Sequence, residues 1–246
     1  MSINTTDNTT DYKKVCEFNI AFDFPQFDDL SNEKILKLRL DLIKEEFDEL
    51  KEAYSMNDVI EQMDACADIL YVAYGMAYTY KINSDDFLSY LIKNLNQSLF
   101  ENIRENQVEY KSKFDLINNI SNQFNKLTDC CLNKNTNSVN EWINALHNII
   151  IYVYDYQVVS KFNSDKIFTL VHESNMSKLC VSEEEAIQTV NKYIQTYESG
   201  KTPYDTPYYY KLDNSELYVI KNKSTGKALK SINYKEVKLD LDEMKL

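Results

Sequence analysis

The chain has 246 residues, of which 43% are hydrophobic and 27% charged, and its formal net charge is -12. That length suffices for one large or two small domains with a buried core, and the negative charge excludes a protein that coats nucleic acid through a basic face. Only three glycines and three prolines occur in the chain, which favours long helices over a sheet-rich fold.

The cysteines and the apolar segments indicate the compartment. The five cysteines are odd in number and form no CxxC pair, which is typical of buried thiols in a reducing cytosol. No charged and then apolar leader opens the chain, and the longest apolar stretch is interrupted by Asp68 and is too short to span a bilayer. We therefore expect a cytoplasmic protein that does not enter a membrane.

Taken in chain order, the predicted elements are mostly helices. Residues 1–10 are rich in Ser, Thr, Asn and Asp and are predicted to be disordered. Ser31 is predicted to cap the second helix, and Asp58 and Ser182, each with a Glu three residues later, have the capping-box form. The predicted helices cover residues 11–22, 31–55, 58–81, 83–101, 113–131, 139–161, 164–179 and 182–197.

After Gly200 the sequence becomes rich in tyrosine and alternates in polarity. Strands are predicted at residues 208–211, 217–221 and 228–232, with turn residues between them. The sequence therefore predicts an all-α fold with a small C-terminal β-hairpin appendix.

The two halves of the helical region resemble each other, which indicates an internal repeat. Residues 68–74 align with 148–154, and residues 81–85 align with 161–165, at one constant offset. Upstream, when a longer loop is allowed, Phe47 and Leu50 match Phe124 and Leu127. Two amphipathic helices of similar length can also align by chance, but the shared Lys-x-Asn-Ser-Asp junction favours duplication. A duplicated helical pair would pack as a pseudo-dimer within one chain. The predicted divisions are a disordered tail at 1–10, copy one at 11–110, copy two at 111–200 and a β-rich tail at 201–246.

The second predicted helix carries many carboxylates. Glu46 falls within the apolar arc of its helical wheel, and Glu45 and Glu49 belong to a neighbouring acidic stripe. Like charges four residues apart repel each other by a few tenths of a kcal/mol. A solvated acidic face, with Lys44 and Lys51 nearby, is the ordinary interpretation of such a helix.

The third helix changes that interpretation, because it is apolar on nearly every side and yet carries Asp64 and Asp68 on one face. A buried helix carries two aspartates on one stripe when they are paired or bind a metal, whereas Glu61 is better explained by the capping box. With Glu45, Glu46 and Glu49, these aspartates form an all-oxygen cluster that suits Mg²⁺ or Mn²⁺. A di-iron bundle would need Glu-x-x-His pairs, and neither histidine follows a Glu at that spacing.

These residues resemble a known family. LIKEEFDELKEA at 42–53, followed by DACADILYVAYG at 64–75, is similar to the EExxE and second-helix signature of the all-α nucleoside triphosphate pyrophosphohydrolases. That superfamily includes MazG, the dimeric dUTPases and phosphoribosyl-ATP pyrophosphohydrolase. VHESNMSKL at 171–179 resembles the HxxNMSK segment of the last branch, and GKALKS at 226–231 resembles its GKxxKS ending.

The resemblance implies a MazG-like helical bundle that hydrolyses a nucleoside triphosphate to the monophosphate and pyrophosphate with Mg²⁺, in nucleotide-pool house-cleaning. The metal-binding and catalytic residues of the family match Glu45, Glu46, Glu49 and Asp68. Many relatives have an acid where this chain has Ala65, so Asp64 would have to reach the metal from the preceding position. The residues expected to contact phosphate and nucleotide are His172, Asn175, Lys178, Lys227 and Lys230.

The two copies differ in a complementary way. Copy two has the amides Asn122, Gln123, Asn144 and Asn148 in place of the carboxylates of copy one, and an amide offers a divalent ion no net charge. Copy one in turn lacks equivalents of His172, Asn175 and Lys178.

We therefore predict one composite site, in a chain that is a monomeric pseudo-dimer or a homodimer of it. A non-catalytic nucleotide-binding pseudoenzyme and a true phosphoribosyl-ATP pyrophosphohydrolase remain alternatives. The sequence names neither the base nor the sugar.

Overall fold

The computed structural model describes residues 10–86, 112–132, 139–213 and 215–246. Within these residues the chain is mostly helical and has one antiparallel two-stranded sheet. The elements are α1 (Asp11–Ala21), α2 (Glu33–Met56), α3 (Val59–Thr79), α4 (Lys113–Leu132), α5 (Val139–Ser160), α6 (Ser164–Met176), α7 (Glu183–Glu198), β1 (Pro207–Lys211) and β2 (Tyr218–Asn222). The predicted all-α class with a C-terminal hairpin is confirmed.

The helix starts follow the capping predictions with one exception. Asp58 and Ser182 accept hydrogen bonds from backbone N–H groups at the starts of α3 and α7, as predicted. The predicted cap Ser31 is wrong, because Asn32 accepts from the N–H of Ile35 at 3.2 Å and caps α2 instead. The helix predicted over 83–101 is helical at residues 84–86, and most of its length, like the predicted tail at 1–9, lies outside the described residues.

Helices α2 and α3 form a hairpin that is held by the apolar face of α2. The side chains of α2 that are buried recur every three or four residues: Leu36, Leu40, Ile43, Phe47, Leu50 and Ala53. Burying one such large side chain stabilises the fold by about 1.5–3 kcal/mol. Helix α3 is buried along nearly its whole length, as its apolar sequence predicts. Helices α4 and α5 form a second hairpin, and α3 packs against α5 while α2 packs against α4.

Contacts divide the chain into two compact units. Unit 1 comprises residues 1–16, 25–168 and 239–246, and unit 2 comprises residues 17–24 and 169–238. The four helices α2 to α5 lie in unit 1. The predicted copies at 11–110 and 111–200 were defined by sequence similarity, whereas these units are defined by contacts. The boundaries of the copies therefore stay a prediction. No helix among the described residues combines the length and apolar character needed to cross a bilayer.

The backbone at the ends of α3 and α5 supports the duplication. Lys81 and Lys161, which are equivalent in the sequence alignment, both have positive φ, at 56° and 58°. The hydrogen bonds around them also correspond: the N–H of Ile82 donates to the carbonyl of Ala77, and that of Phe162 donates to that of Gln157. Such a left-handed residue after a helix is usually glycine, so two lysines at equivalent positions indicate common descent.

The contact between α3 and α5 adds independent support. Tyr74 and Tyr154 are equivalent residues of the two copies, and their hydroxyl oxygens are 3.0 Å apart. In an isologous interface, a residue meets its own counterpart only near the twofold axis. The tyrosine pair therefore lies near a pseudo-twofold axis that relates the two hairpins within unit 1.

The tyrosine pair continues into an asymmetric network. The hydroxyl of Tyr154 donates to Asp11 at 2.8 Å, so the hydroxyl of Tyr74 donates to Tyr154. Lys14 also donates to Asp11, at 3.3 Å. Burial raises the pKa of Asp11 despite these partners, and it raises the pKa of Tyr154 well above its usual value. Buried polar groups need such partners, because leaving one unpaired costs about 1–3 kcal/mol.

Unit 2 is built around the C-terminal hairpin. Helix α7 packs on both strands, and Cys180, Ala186, Ile220 and Leu229 form a buried apolar cluster there. Two of the three predicted strands form. The third, at 228–232, is reduced to a single bridge between Lys221 and Ala228. Gly226, with φ of 70°, makes the turn that leads to this bridge.

The left-handed conformation of Lys161 can be tested by substitution. A side chain with a Cβ atom costs about 1–2 kcal/mol in this conformation, while glycine adopts it freely at a smaller entropic cost. We expect Lys161→Gly to raise the free energy of unfolding by about 0.5–1 kcal/mol, measured by chemical denaturation. Lys161→Ala is the control and should give no gain. Equal stability of the two variants would contradict the assignment.

Candidate functional site

The α2–α3 hairpin brings the predicted carboxylates of copy one to one side of unit 1. The helices are joined by only two residues, so they run antiparallel and the acidic C-terminal half of α2 lies beside the first turns of α3. Glu45 and Glu49 are exposed, whereas Glu46, Asp64 and Asp68 are half-buried. Asp68 lies one helical turn, about 6 Å, further along α3 than Asp64.

The carboxylate of Asp64 has a clearly perturbed pKa. Burial, together with the negative charges of Glu61 and Glu49, raises its pKa to about 6. The pKa of Glu49 is raised as well, by burial and by Glu45, Glu61 and Glu52. Within the described residues neither Asp64 nor Glu49 forms an ion pair or a hydrogen bond through its side chain. Like charges held together without a cation destabilise one another.

The lysines of α2 neutralise different acids. Lys37 pairs with Asp41 at 2.6 Å, and Lys44 and Lys51 both pair with Asp48 at 2.5 Å. The ordinary interpretation, a solvated acidic face with lysine partners, therefore applies to Asp41 and Asp48. It does not apply to Glu49 and Asp64.

Glu61 has a different role from the one that the sequence suggests. Asp58 caps the N–H of Glu61, as the capping box requires. A capping box also has a second bond, from the backbone N–H of Asp58 to the carboxylate of Glu61. Here that N–H donates instead to the carbonyl of Ala53, near the end of α2, at 2.9 Å. The carboxylate of Glu61 is thus exposed and contributes to the negative field on Asp64.

Copy two shows how the same pair of positions behaves without charge. Asn148 is the counterpart of Asp68, and Gln123 is the counterpart of Glu46. The side-chain amide of Asn148 donates to the side-chain oxygen of Gln123 at 3.4 Å. Two amides can join in this way, but two carboxylates have no proton to share. By the pseudo-symmetry, Glu46 and Asp68 occupy positions that face each other across the first hairpin.

The residue types of copy one fit a hard divalent cation. All five predicted ligands provide carboxylate oxygens, which Mg²⁺ and Mn²⁺ prefer. Among the described residues, no three His, Cys, Asp or Glu side chains converge closely enough to hold a metal. The carboxylates are thus the right type of ligand for such a metal, but their side chains would have to turn toward a common point to bind it.

Three of the predicted substrate-binding residues lie together in unit 2. His172, Asn175 and Lys178 are spaced three residues apart at the end of α6. The ammonium of Lys178 donates to the side-chain oxygen of Asn175 at 2.5 Å and lies 5.5 Å from the centre of the Phe18 ring. His172 approaches the carboxylate of Glu17 at 3.5 Å. The motif thus forms a polar face against the second half of α1.

The two lysines of the predicted tail lie elsewhere in unit 2. The ammonium groups of Lys227 and Lys230 lie over the rings of Tyr204 and Tyr234, at 5.6 Å and 4.1 Å. No described side-chain contact joins either lysine to His172, Asn175 or Lys178. A backbone hydrogen bond connects the two segments: the N–H of Ser231 donates to the carbonyl of Lys178 at 3.2 Å.

Glu17 and the network of Asp11, Tyr74 and Tyr154 were not predicted from the sequence. The alignment of the two copies already pairs Tyr74 with Tyr154, and this pairing is the signal that could have located the axis. Glu17 carries no comparable signal, because α1 lies outside the repeat alignment.

The geometry defines a helical bundle of two similar hairpins, of which one carries carboxylates and the other has amides at the equivalent positions. Comparisons with known proteins agree with this class. Residues 16–94 match the family described as phosphoribosyl-ATP pyrophosphohydrolase. Uncharacterized protein L479 of Acanthamoeba polyphaga mimivirus is 36% identical over 248 aligned residues, covering 94% of each chain. No solved structure matches.

The chain therefore belongs to the phosphoribosyl-ATP pyrophosphohydrolase family, within the MazG-like all-α nucleoside triphosphate pyrophosphohydrolase superfamily. This family consists of hydrolases that act on pyrophosphate bonds. The family match includes α2 and α3 and ends at residue 94. The HxxNMSK-like segment at 171–179 lies beyond it.

The repulsion on Asp64 can be tested through stability. Its folded pKa of about 6 lies above the ordinary 3.8, so ionising Asp64 costs stability as the pH rises from about 4 through 6. We expect Asp64→Asn to raise the free energy of unfolding at pH 7.5 in EDTA by about 1 kcal/mol, allowing for solvent screening, and to give a smaller gain at pH 4.5. Thermal denaturation measures both.

Asp41→Asn provides the matched control, because Asp41 is exposed on α2 and pairs with Lys37. It should leave stability at pH 7.5 unchanged or slightly lower. A loss of stability in Asp64→Asn under the same conditions would show that Asp64 is favourably paired in the folded protein.

Proposed function

We propose that this protein is a Mg²⁺-dependent nucleoside triphosphate pyrophosphohydrolase that releases a nucleoside monophosphate and pyrophosphate. The observation that carries the proposal is the contrast between the two hairpins. Copy two joins its equivalent positions by a hydrogen bond between Asn148 and Gln123, whereas copy one has the half-buried carboxylates of Asp68 and Glu46 at those positions, beside Asp64 with its raised pKa. Membership of a family of pyrophosphate-bond hydrolases supports the same reaction type.

In this proposal Glu45, Glu46, Glu49, Asp64 and Asp68 hold the metal. Bound Mg²⁺ would polarise the α-phosphorus, acidify the attacking water and neutralise the departing pyrophosphate. The half-buried position of Asp64 and Asp68 keeps bulk water away from one side of the carboxylates, which strengthens their attraction for a cation. The raised pKa of Asp64 implies that cation binding also releases a proton near pH 6.

Unit 2 contains groups suited to phosphate. The ammonium of Lys178 is oriented by Asn175, and a lysine is a common phosphate ligand. The imidazole of His172 lies 3.5 Å from the carboxylate of Glu17, and an imidazole N–H can donate a hydrogen bond to an anion. We keep the prediction that these residues contact the substrate.

Phosphoribosyl-ATP is a second candidate substrate, and the description of the matching family favours it. It shares the α–β phosphoanhydride with ordinary nucleoside triphosphates, so the same carboxylates would serve. The two candidates differ in the base, where phosphoribosyl-ATP carries an additional phosphoribosyl group.

A substrate screen tests the proposed reaction. We expect pyrophosphate release from at least one nucleotide in a set of ribo- and deoxyribonucleoside triphosphates and phosphoribosyl-ATP with Mg²⁺, and none after addition of EDTA. A coupled colorimetric assay measures the pyrophosphate. Absence of release from every substrate would refute the proposed activity and favour a non-catalytic nucleotide-binding protein.

The asymmetry of the two hairpins gives a matched pair of variants. Asp68→Asn recreates the amide of copy two, and we expect it to lower kcat by at least about 100-fold, as loss of a key electrostatic group does. Asn148→Ala changes the equivalent position of copy two and should retain activity. If both variants lost activity equally, the assignment of the metal site to copy one would be wrong.

Lys178→Ala tests the contribution of unit 2. We expect a clear loss of kcat/KM with only a small loss of thermal stability, because the substitution removes side-chain contacts such as those with Asn175 and Phe18 and leaves the backbone intact. Lys178→Arg should recover part of the activity, because it keeps the charge. Normal turnover by Lys178→Ala would exclude Lys178 from the substrate site.

A further inference from the structure

Positive charge is concentrated in the C-terminal part of an acidic protein. Residues 201–238 contain eight lysines and four acidic residues, although the whole chain has a net charge of -12. This segment forms most of the hairpin region of unit 2. Such a distribution favours binding of a small anion to unit 2 rather than attraction of anions to the protein as a whole.

A small cavity in unit 2 gathers three lysines. Its volume is about 310 Å³, and it is lined by the end of α7, the turn that follows it and the segment after Gly226. Lys192, Lys201 and Lys230 line it, together with five residues that carry hydroxyl groups, among them Tyr193 and Thr202. No carboxylate is among the lining residues. Within the described part of the chain, none of the three lysines forms an ion pair.

Neighbouring contacts hold the cavity in shape. The hydroxyl oxygen of Tyr193 accepts a hydrogen bond from the N–H of Lys230 at 3.1 Å, so the hydroxyl proton of Tyr193 is left to donate to another group. The ring of Tyr234 lies 4.1 Å from the ammonium of Lys230. The hydroxyl of Ser231 donates to the buried carboxylate of Glu185, and that of Thr196 donates to the backbone carbonyls of Lys192 and Tyr193, so both residues are held in place. The hydroxyl of Thr202 accepts from the N–H of Tyr204 and keeps its proton. Three cations and the hydroxyl protons of Tyr193 and Thr202 therefore lie around one space.

We propose that this cavity is a binding site for a pyrophosphate group, separate from the carboxylates of the α2–α3 hairpin and independent of a metal. Lysine ammonium groups bind phosphate oxygens through charge-assisted hydrogen bonds, and hydroxyl donors add direction to them. The volume is at the lower end of small-molecule sites, which suits an inorganic anion or the phosphate chain of a nucleotide. The inference does not require that the proposed hydrolysis occur.

Isothermal titration calorimetry of the full-length protein with sodium pyrophosphate tests the site. EDTA removes divalent cations, and about 50 mM salt keeps screening weak. We expect saturable binding by the unmodified protein and at least about tenfold weaker binding by Lys192→Ala/Lys201→Ala. Lys13→Ala/Lys223→Ala removes the same charge from two exposed lysines outside the cavity and should bind as the unmodified protein does.

Further titrations distinguish the source of the anion. A nucleoside triphosphate and a nucleoside without phosphate are titrated under the same conditions, and only the phosphate-bearing compounds should bind. Thermal denaturation verifies that all variants fold. Absence of pyrophosphate binding, equal weakening in both double variants, or unchanged binding in Lys192→Ala/Lys201→Ala would each overturn the proposal. The carboxylate site could then still be active, because the substrate screen with Mg²⁺ tests it separately.

Discussion

The packing of α3 against α5 is the contact on which the bundle of unit 1 depends. Each of these helices carries the apolar half of a hairpin, and neither could remain buried without the other. Tyr74 and Tyr154 meet there as counterparts, which means that the second copy fills the place that a partner subunit would fill in a homodimer. Once that interface lies within one chain, the outer positions of each hairpin are free to diverge.

The divergence follows a simple electrostatic rule. Half-buried positions that face each other must be neutral and hydrogen-bonded, or charged and compensated. Copy two takes the first solution with Asn148 and Gln123, and copy one has carboxylates, which call for the second. The charged residues of copy one destabilise the ionised form of the nearby Asp64, whose pKa rises to about 6. Perturbed pKa values of this kind are typical of functional sites, where residues are selected for function more than for stability.

Much of the fold was accessible from the sequence, because it depends on local signals. The period of Leu36, Leu40 and Ile43 predicted the buried face of α2, and Asp58 and Ser182 marked helix starts. The prediction of Ser31 as a cap was wrong because the adjacent Asn32 is an equally good capping residue type, and Asn32 accepts the hydrogen bond from Ile35. The prediction of a third strand at 228–232 was wrong, because that segment pairs with β2 only through the bridge between Lys221 and Ala228.

The candidate site was predictable to a smaller extent. The half-buried position of Asp64 followed from its apolar neighbours. The exposed carboxylate of Glu61 did not, because it depends on the short connection between α2 and α3, in which the N–H of Asp58 donates to Ala53 and not to Glu61. The lysine cavity could not be predicted from a periodic sequence pattern, because Lys192, Lys201 and Lys230 come from three separate segments of the chain. Side chains that converge from distant segments become visible only when the tertiary structure is known.

The hydrogen bond from Tyr154 to Asp11 has a consequence for how such a chain evolves. In a homodimer the two tyrosines on the axis would be identical, so neither hydroxyl could be a permanent donor to the other, and any acidic partner would appear twice. Here a single carboxylate sets the direction of the bond from Tyr74 to Tyr154. Fusion of the two copies has allowed one gene to carry a mutation on only one side of the axis.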